Sequence, residues 1–349
     1  MNLNDLITQT SEWLKGTGAH SDIVISSRIR LARNLIGATF NSRASEEKRN
    51  EIISLLRPVI KSTDSLRNSL WIDIDKLSRL DLQFLIERHL ISHELAGGEG
   101  ARAAIISEME TISLMINEED HLRLQTIQSG LALMDAWRIV NKVEGELADR
   151  IGFAFSQEFG YLTACPTNVG TGMRASVMLH LPSLVITRQI EKISQAVAKI
   201  GFVVRGFYGE GTEPIGDYFQ ISNQVTLGQS EEEIISNIEQ IIHQIIGHEE
   251  NARQFLLTRR KKQIEDRVFR AYGTLAYARR IDSNEAIKLL STLRLGIELD
   301  FIKNLDHHIL NELLIAIQPA HLQKLNGKAL TAVERDIKRA ELIRKKIKK

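Results

Sequence analysis

A single cysteine, Cys165, stands in this chain of 349 residues. No internal disulfide can form. That excludes a disulfide-built secreted scaffold and fits a reducing, cytoplasmic setting. Strong net charge is also missing, since 45 Lys and Arg against 44 Asp and Glu leave +1 at neutral pH. Nucleic-acid-binding proteins carry a clear basic excess, so direct binding of nucleic acid is not expected. No apolar stretch approaches membrane-spanning length, and no membrane association is expected. The start, Met1-Asn2-Leu3-Asn4-Asp5, lacks the charged and apolar regions of a signal peptide. Familiar chemical signatures are absent as well. There is no G-x-x-x-x-G-K-[ST] phosphate loop, no H-R-D with D-F-G, and no Cys/His cluster at zinc spacing.

What is present is the composition of a soluble globular protein, 43% hydrophobic and 26% charged. The length predicts two domains. From about residue 20 to 250, strand-like and helix-like segments alternate. Ile23-Val24-Ile25-Ser26, Ile112 to Ile116, Tyr161 to Ala164 and Phe219 to Leu227 read as strands. Glu46 to Lys61, the segment around Met134, Trp137 and Val143, Pro182 to Lys199 and Glu231 to His248 read as helices. Beyond about 252 the alternating pattern stops. Amphipathic patterns over Asn251–Arg280, Ser283–Leu295 and Leu330 to the end predict helices, with Pro319 as a break. The expectation is an α+β domain over 1–252 and an all-helical domain over 253–349. The basic end, Arg344 to Lys349, reads as a solvated helix terminus.

Four segments are polar where their context predicts core or turn. In Ser26-Ser27-Arg28-Ile29-Arg30, a spacing of two puts both guanidinium groups on one face of a strand. Such forks grip phosphate oxygens, though for this segment taken alone a surface salt-bridged edge is the stronger reading. In Asn117-Glu118-Glu119-Asp120-His121-Leu122-Arg123, three acids end an apolar strand. They face a cationic substrate or merely open a helix. In Cys165-Pro166-Thr167-Asn168-Val169-Gly170-Thr171-Gly172-Met173-Arg174 the thiol sits among turn residues. It is either an ordinary buried side chain or a reactive group beside cations. Arg205 to Asp217 holds four glycines with Glu210 between two of them. It is a closing loop or a long hairpin. Five arginines with two acids and a thiol can hold a polyphosphate at one end and a guanidinium at the other.

Together these segments resemble the phosphagen (guanidino) kinases. S-S-R-I-R, N-E-E-D-H-L-R, C-P-T-N-x-G-T-x-x-R-A-S and R-G-x-x-G-E-x-T-E match that family's blocks in order, over about residues 20 to 250. The resemblance implies an antiparallel sheet flanked by helices, and transfer of the γ-phosphoryl of ATP, with Mg²⁺, to a guanidinium nitrogen. It implies that Arg28, Arg30, Arg123, Arg174 and Arg205 clamp the nucleotide phosphates, with Ser26 near the nucleotide. Glu119 and Glu210 orient the guanidinium, and Cys165 lies near the reacting nitrogen. No dedicated metal ligands are implied, because the nucleotide carries the Mg²⁺. One departure stands out: Met178 occupies a position where the family often has histidine against adenine.

The S-S-R-I-R block begins at Ser26, leaving no room for the helical N-terminal domain of about a hundred residues in small-molecule phosphagen kinases. With its C-terminal helices the arrangement resembles the bacterial protein-arginine kinases. That branch phosphorylates arginines exposed on proteins, marks them for a Clp ATPase and protease, acts on a heat-shock repressor and works with a zinc-binding activator protein. The resemblance also implies that Arg335, Asp336 and Arg339 bind phosphoarginine, and that the chain forms a homodimer. Two other readings remain open here. One is a kinase of free arginine or another small guanidino compound. The other is a phosphoarginine-binding adaptor with an inactive kinase site.

Overall fold

The computed structural model describes residues 2–206 and 215–348. In chain order the elements are β1 (Val24–Arg33), α1 (Glu46–Ser62), β2 (Leu70–Asp73), α2 (Arg79–Glu87), α3 (His93–Gly97), β3 (Ala103–Ile106), β4 (Ile112–Ile116), β5 (Leu122–Ser129) and α4 (Leu133–Ala148). Next come β6 (Phe155–Ser156), β7 (Gly160–Tyr161), β8 (Met173–His180), α5 (Pro182–Ile186), α6 (Ile190–Lys199), β9 (Phe202–Arg205) and β10 (Tyr218–Asn223). Helices α7 (Glu231–Arg259), α8 (Lys261–Tyr277), α9 (Ser283–Glu298), α10 (His307–Ala316), α11 (Pro319–Asn326) and α12 (Ala332–Ile347) complete the chain. Among the described residues, no helix is long and apolar enough to cross a membrane.

Eight strands form one sheet in the order β2-β3-β4-β5-β1-β8-β10-β9, and each pairing is antiparallel. Alternation along the central strands separates its faces. Ile29 and Leu31 of β1, Leu122 and Leu124 of β5, and Met173, Ala175 and Val177 of β8 point to one side. There α4 supplies Val140, Val143 and Leu147, and α7 supplies Ile238, Ile242 and Ile245 at helical spacing. Burying each such side chain contributes about 1.5–3 kcal/mol. Among the described residues, the opposite face is covered only at its ends. At one end α2 and α3 place Phe84, Leu85 and Leu95 over Ala104, Ile106 and Met115. At the other, α9 and α10 place Leu290, Leu293 and Leu313 over Ile25, Ile127, Met178 and Tyr218. A bulge between Val24 and Ser26 lets Ile25 join that second cluster. Between the two covers the face is open.

The α+β layout and the helical C-terminal region match the sequence reading, while several boundaries differ. β1 runs on through both arginines to Arg33 rather than ending at Ser26. The strand expected over Tyr161–Ala164 is two residues long, because the Ala164 amide donates to the Asp120 carboxylate instead of a ladder partner. The helix expected from Pro182 to Lys199 breaks at Arg188, which takes φ +60°. β10 stops at Asn223, whose side chain bonds Met173 O, Val225 O and the Ala175 amide, and Val225 and Leu227 are exposed. α7 continues unbroken past 252 to Arg259, since no helix breaker stands between His248 and Arg260. Pro319 begins α11 rather than ending a helix, because the first turn does not need its missing N–H.

Candidate active site

The open part of the sheet face is a cleft of about 680 Å³. Strand register explains its arginines. Arg28 and Arg30 are two apart on β1, and Arg174 of β8 lies directly opposite Arg30. Arg123 of β5 lies opposite Ala32, two residues along β1 from Arg30 and on the same face. Arg205 of β9 pairs with Gln220, itself opposite Met178. Five guanidinium groups from four strands therefore converge on one surface. Burial, then Arg123, Arg174 and Arg205, lowers the pKa of Arg28 to about 9. Burial, then Arg28, Arg123 and Arg174, puts Arg30 well below its usual value. Arginine stays charged at neutral pH, so these shifts reflect burial first and mutual repulsion second, and a bound anion would relieve the repulsion. Arg28 Nη2 donates to Gln220 Oε1 at 3.0 Å, and Glu118 pairs with Arg123. The Nε of Arg30 is buried without a hydrogen-bond partner among the described residues. A polyphosphate fits this donor set.

The same cleft is lined by acids and by the thiol. The expected helix start at the three acids is a tight β4–β5 turn, with Asn117 at φ +58°. Glu118 is taken up by Arg123 and Ser92, and Asp120 is buried, so Glu119 is the acid exposed to the cleft. Burial, then Asp120 and Glu118, raises the Glu119 carboxyl. Cys165 is a free, half-buried thiol, and its Sγ lies 3.0 Å from Thr167 Oγ1. It caps a short 3₁₀ turn at Pro166–Asn168, and Thr163 Oγ1 donates to its carbonyl at 2.8 Å.

The cleft thus unites Arg28, Arg30, Arg123, Arg174, Arg205, Glu119 and Cys165. Ser26 is not in it but lines a narrow side pocket with Trp13, Arg28, His89, Ser176 and Met178. Glu210 lies outside the described residues. Sequence reasoning missed His89, Glu94, Gln125, Asn223 and Thr226, which also line the cleft. Their elements meet only through tertiary packing, and no local spacing marks them. Arg335, Asp336 and Arg339 lie on α12, away from the cleft lining. Arg339 is buried, donating to Ile317 O and Ile281 O at 2.9 Å and to Asp336 Oδ1 at 2.7 Å. Arg335 donates to Leu330 O, and the exposed Arg280, which the sequence did not single out, pairs with Asp336 Oδ2 at 3.4 Å. Among the described residues no group of three or more His, Cys, Asp or Glu is arranged to hold a metal ion.

Comparison with known proteins agrees with this layout. The family model described as ATP:guanido phosphotransferase, C-terminal catalytic domain, matches residues 51–252. That described as Protein-arginine kinase McsB C-terminal domain matches 261–349. The protein-arginine kinase of Symbiobacterium thermophilum is 49% identical over 99% of this chain and 99% of its own. That of Halothermothrix orenii is 47% identical over the same shares. Among solved structures, the duplicated taurocyamine kinase from Schistosoma mansoni, with bound transition state analog components, superposes with a TM-score of 0.62 at 24% identity. It covers 72% of this chain and 36% of that one, and it shows the shared fold. Lombricine kinase gives a TM-score of 0.59 at 25% identity over 69% and 71% of the two chains. The two family models, the near-full-length relatives and an arginine-lined sheet face that also presents a carboxylate and a thiol place the chain in the ATP:guanido phosphotransferase family and, within it, among the protein-arginine kinases.

Proposed function

We propose that the protein transfers the γ-phosphoryl group of ATP to arginine side chains of other proteins. The observation that carries this reading is one cleft that gathers five arginines together with Glu119 and Cys165. Bound ATP with its Mg²⁺ supplies the phosphoryl group. Arg28, Arg30, Arg123, Arg174 and Arg205 neutralise and orient its phosphates from fixed strand positions, which is the main protein contribution in phosphoryl transfer. Ser26 and Met178 line the narrow side pocket beside Arg28, and the place of Ser26 near the nucleotide rests on family membership. Glu119 aligns the acceptor guanidinium and takes a proton at its carboxylate as the N–P bond forms. A guanidinium, with a pKa above about 12, is a poor nucleophile until that proton leaves. Glu210 is the second carboxylate of this proposal.

The finer reading rests on family membership. Phosphorylated proteins are passed to a Clp protease, a heat-shock repressor is one substrate, a zinc-binding protein activates the enzyme, and the chain works as a dimer. Arg335, Asp336 and Arg339 bind phosphoarginine, with Arg280 beside Asp336 as a further contact. Asp336→Ala is expected to leave basal transfer intact and abolish any response to added phosphoarginine. A response that persists would remove the ligand site from α12.

The deciding experiment offers Mg-ATP with either free arginine or an unstructured arginine-rich protein, read by mass spectrometry for acid-labile phosphate. Transfer to protein arginine is the expected result. Transfer to free arginine alone would restore a small-molecule kinase, and transfer to neither, with the activator supplied, would overturn the reading.

A further inference from the structure

Glu119 and Cys165 reach the cleft from two separate loops, and one buried carboxylate ties those loops together. Glu119 sits in the β4–β5 turn, and Cys165 in the segment between β7 and β8. Asp120 Oδ1 accepts from the Ala164 amide at 2.7 Å, one residue before Cys165. The same oxygen accepts from Asn34 Nδ2 at 2.6 Å. Asn34 Nδ2 also donates to Leu162 O at 3.1 Å, and Asn34 Oδ1 accepts from the His121 amide at 2.9 Å. Asn34, Asp120 and His121 are 1%, 2% and 0% exposed.

The hydrogen bonds also fix the state of His121. Its Nδ1 accepts from the Leu35 amide at 3.0 Å, so the proton sits on Nε2, which donates to Thr39 O at 2.9 Å. The ring is a neutral, saturated strut rather than a proton carrier. A dry network of this kind holds its members in one arrangement, because moving any of them strands a buried donor. Charge-assisted bonds to a carboxylate are short and directional, which suits an oxygen that receives two donors.

We propose that Asp120 is a positioning residue that sets Cys165 against Glu119, acting through the Ala164 amide without touching the reacting atoms. This rests on the reading above, in which Glu119 and Cys165 flank the acceptor guanidinium. A displacement of about 1 Å in such a pair costs about a hundredfold in rate. The phosphate end is untouched, since its arginines stand on paired strands with their own ladder bonds.

Asp120→Ala removes the acceptor and leaves the Ala164 amide and Asn34 Nδ2 without it. Turnover is expected to fall about a hundredfold, with the KM for MgATP within about twofold of wild type. Amide exchange is expected to quicken in the peptide spanning 160–170 and to stay unchanged over 24–33. Asp120→Asn keeps an acceptor oxygen on the same skeleton and is expected to recover at least about tenfold of the lost turnover. If the alanine variant does not fold, Asp120→Ser, whose oxygen stops short of the amide, replaces it. Wild-type turnover in the alanine or serine variant would overturn the proposal. So would equal loss in turnover and ATP affinity, or an asparagine variant as poor as alanine. A wild-type enzyme that phosphorylates nothing would instead sink the functional reading, and the exchange experiment would still decide the tether.

Discussion

The Nε of Arg30 is a buried donor without a partner among the described residues, a condition that costs about 1–3 kcal/mol. A phosphate oxygen arriving there removes that cost. Lysine keeps the charge but lacks the planar fork and the Nε–H. Arg30→Lys is therefore expected to raise the KM for ATP about tenfold, or more, through loss of a charge-assisted bond. Steady-state kinetics at varied ATP check this, and an unchanged KM would remove Arg30 from the phosphate site. Glu119 carries a second prediction. Its carboxyl is raised by burial and by Asp120 and Glu118, so it holds its proton to higher pH than an ordinary glutamate. A proton acceptor works only when ionised. The kcat/KM for the acceptor, which reports the free enzyme, should accordingly fall as pH drops through that raised value. Glu119→Gln should lose about 10²–10⁴ in kcat and abolish the acid limb. An acid limb surviving in the residual activity would assign the titration elsewhere. At this scale the sequence was most readable where spacing does the work, as with Arg28 and Arg30 on one strand face. Asp120 and His121 lay inside a segment already singled out, but their partners Asn34, Leu35 and Ala164 are distant in sequence, so their roles had no local signal.

Among the elements, the segment carrying Cys165 is closed at its base by backbone bonds, to which side chains add others. Tyr161 and Gly170 exchange amide-to-carbonyl bonds in both directions, at 2.8 and 3.3 Å. Gly170 has φ +113°, and a Cβ there would stand 2.3 Å from Thr226 O. Gly170→Ala is expected to cost about 1–3 kcal/mol from backbone conformation alone, with the clash added. Gly145 is the control, since it lies within α4 with no neighbour within 4 Å of an added Cβ. Gly145→Ala should stabilise the protein by about 0.5–1 kcal/mol. Denaturant unfolding of both variants checks the pair, and equal effects would contradict the geometry. Element types were legible where periodicity was long, as in α1 and α7. Boundaries were not, because they follow tertiary demands. Asn223 ends β10 by bonding β8 backbone, and Arg188 breaks the α5–α6 helix in a left-handed conformation that its sequence does not announce.

The whole molecule is held together where the C-terminal helices dock on the sheet domain. The cluster containing Ile25, Ile127 and Met178 of the sheet is completed by Leu290, Leu293 and Leu313 of the C-terminal helices. Arg294 donates to Ser21 O, and Glu87 caps the first amides of α11. A helical C-terminal region was readable from the sequence, but this docking was not, because each contact joins residues separated by hundreds of positions. His321 of α11 makes the docking sensitive to pH. It is 3% exposed, with its ring against Phe84 and Nε2 3.2 Å from Ile7 O. A carbonyl can only accept, so Nε2 carries the proton, and Nδ1 is buried without a partner among the described residues. A second proton has nowhere to bond. Burial, then the charge of Arg88, lowers the pKa to about 3. The unfolded chain takes up this proton near pH 6.5, whereas the folded one does so only near 3, so the stability present above 6.5 is lost as pH falls between those values. At pH 5 the loss is about 2 kcal/mol relative to pH 7. Glutamine at this position can donate to Ile7 O without titrating. Comparing wild type with His321→Gln cancels the buried carboxylates, which titrate in both. The stability difference should move by about that amount, toward the variant, between pH 7 and 5. A difference that stays constant would mean that His321 is protonated in the folded state, and that the α11 junction yields before the rest of the molecule.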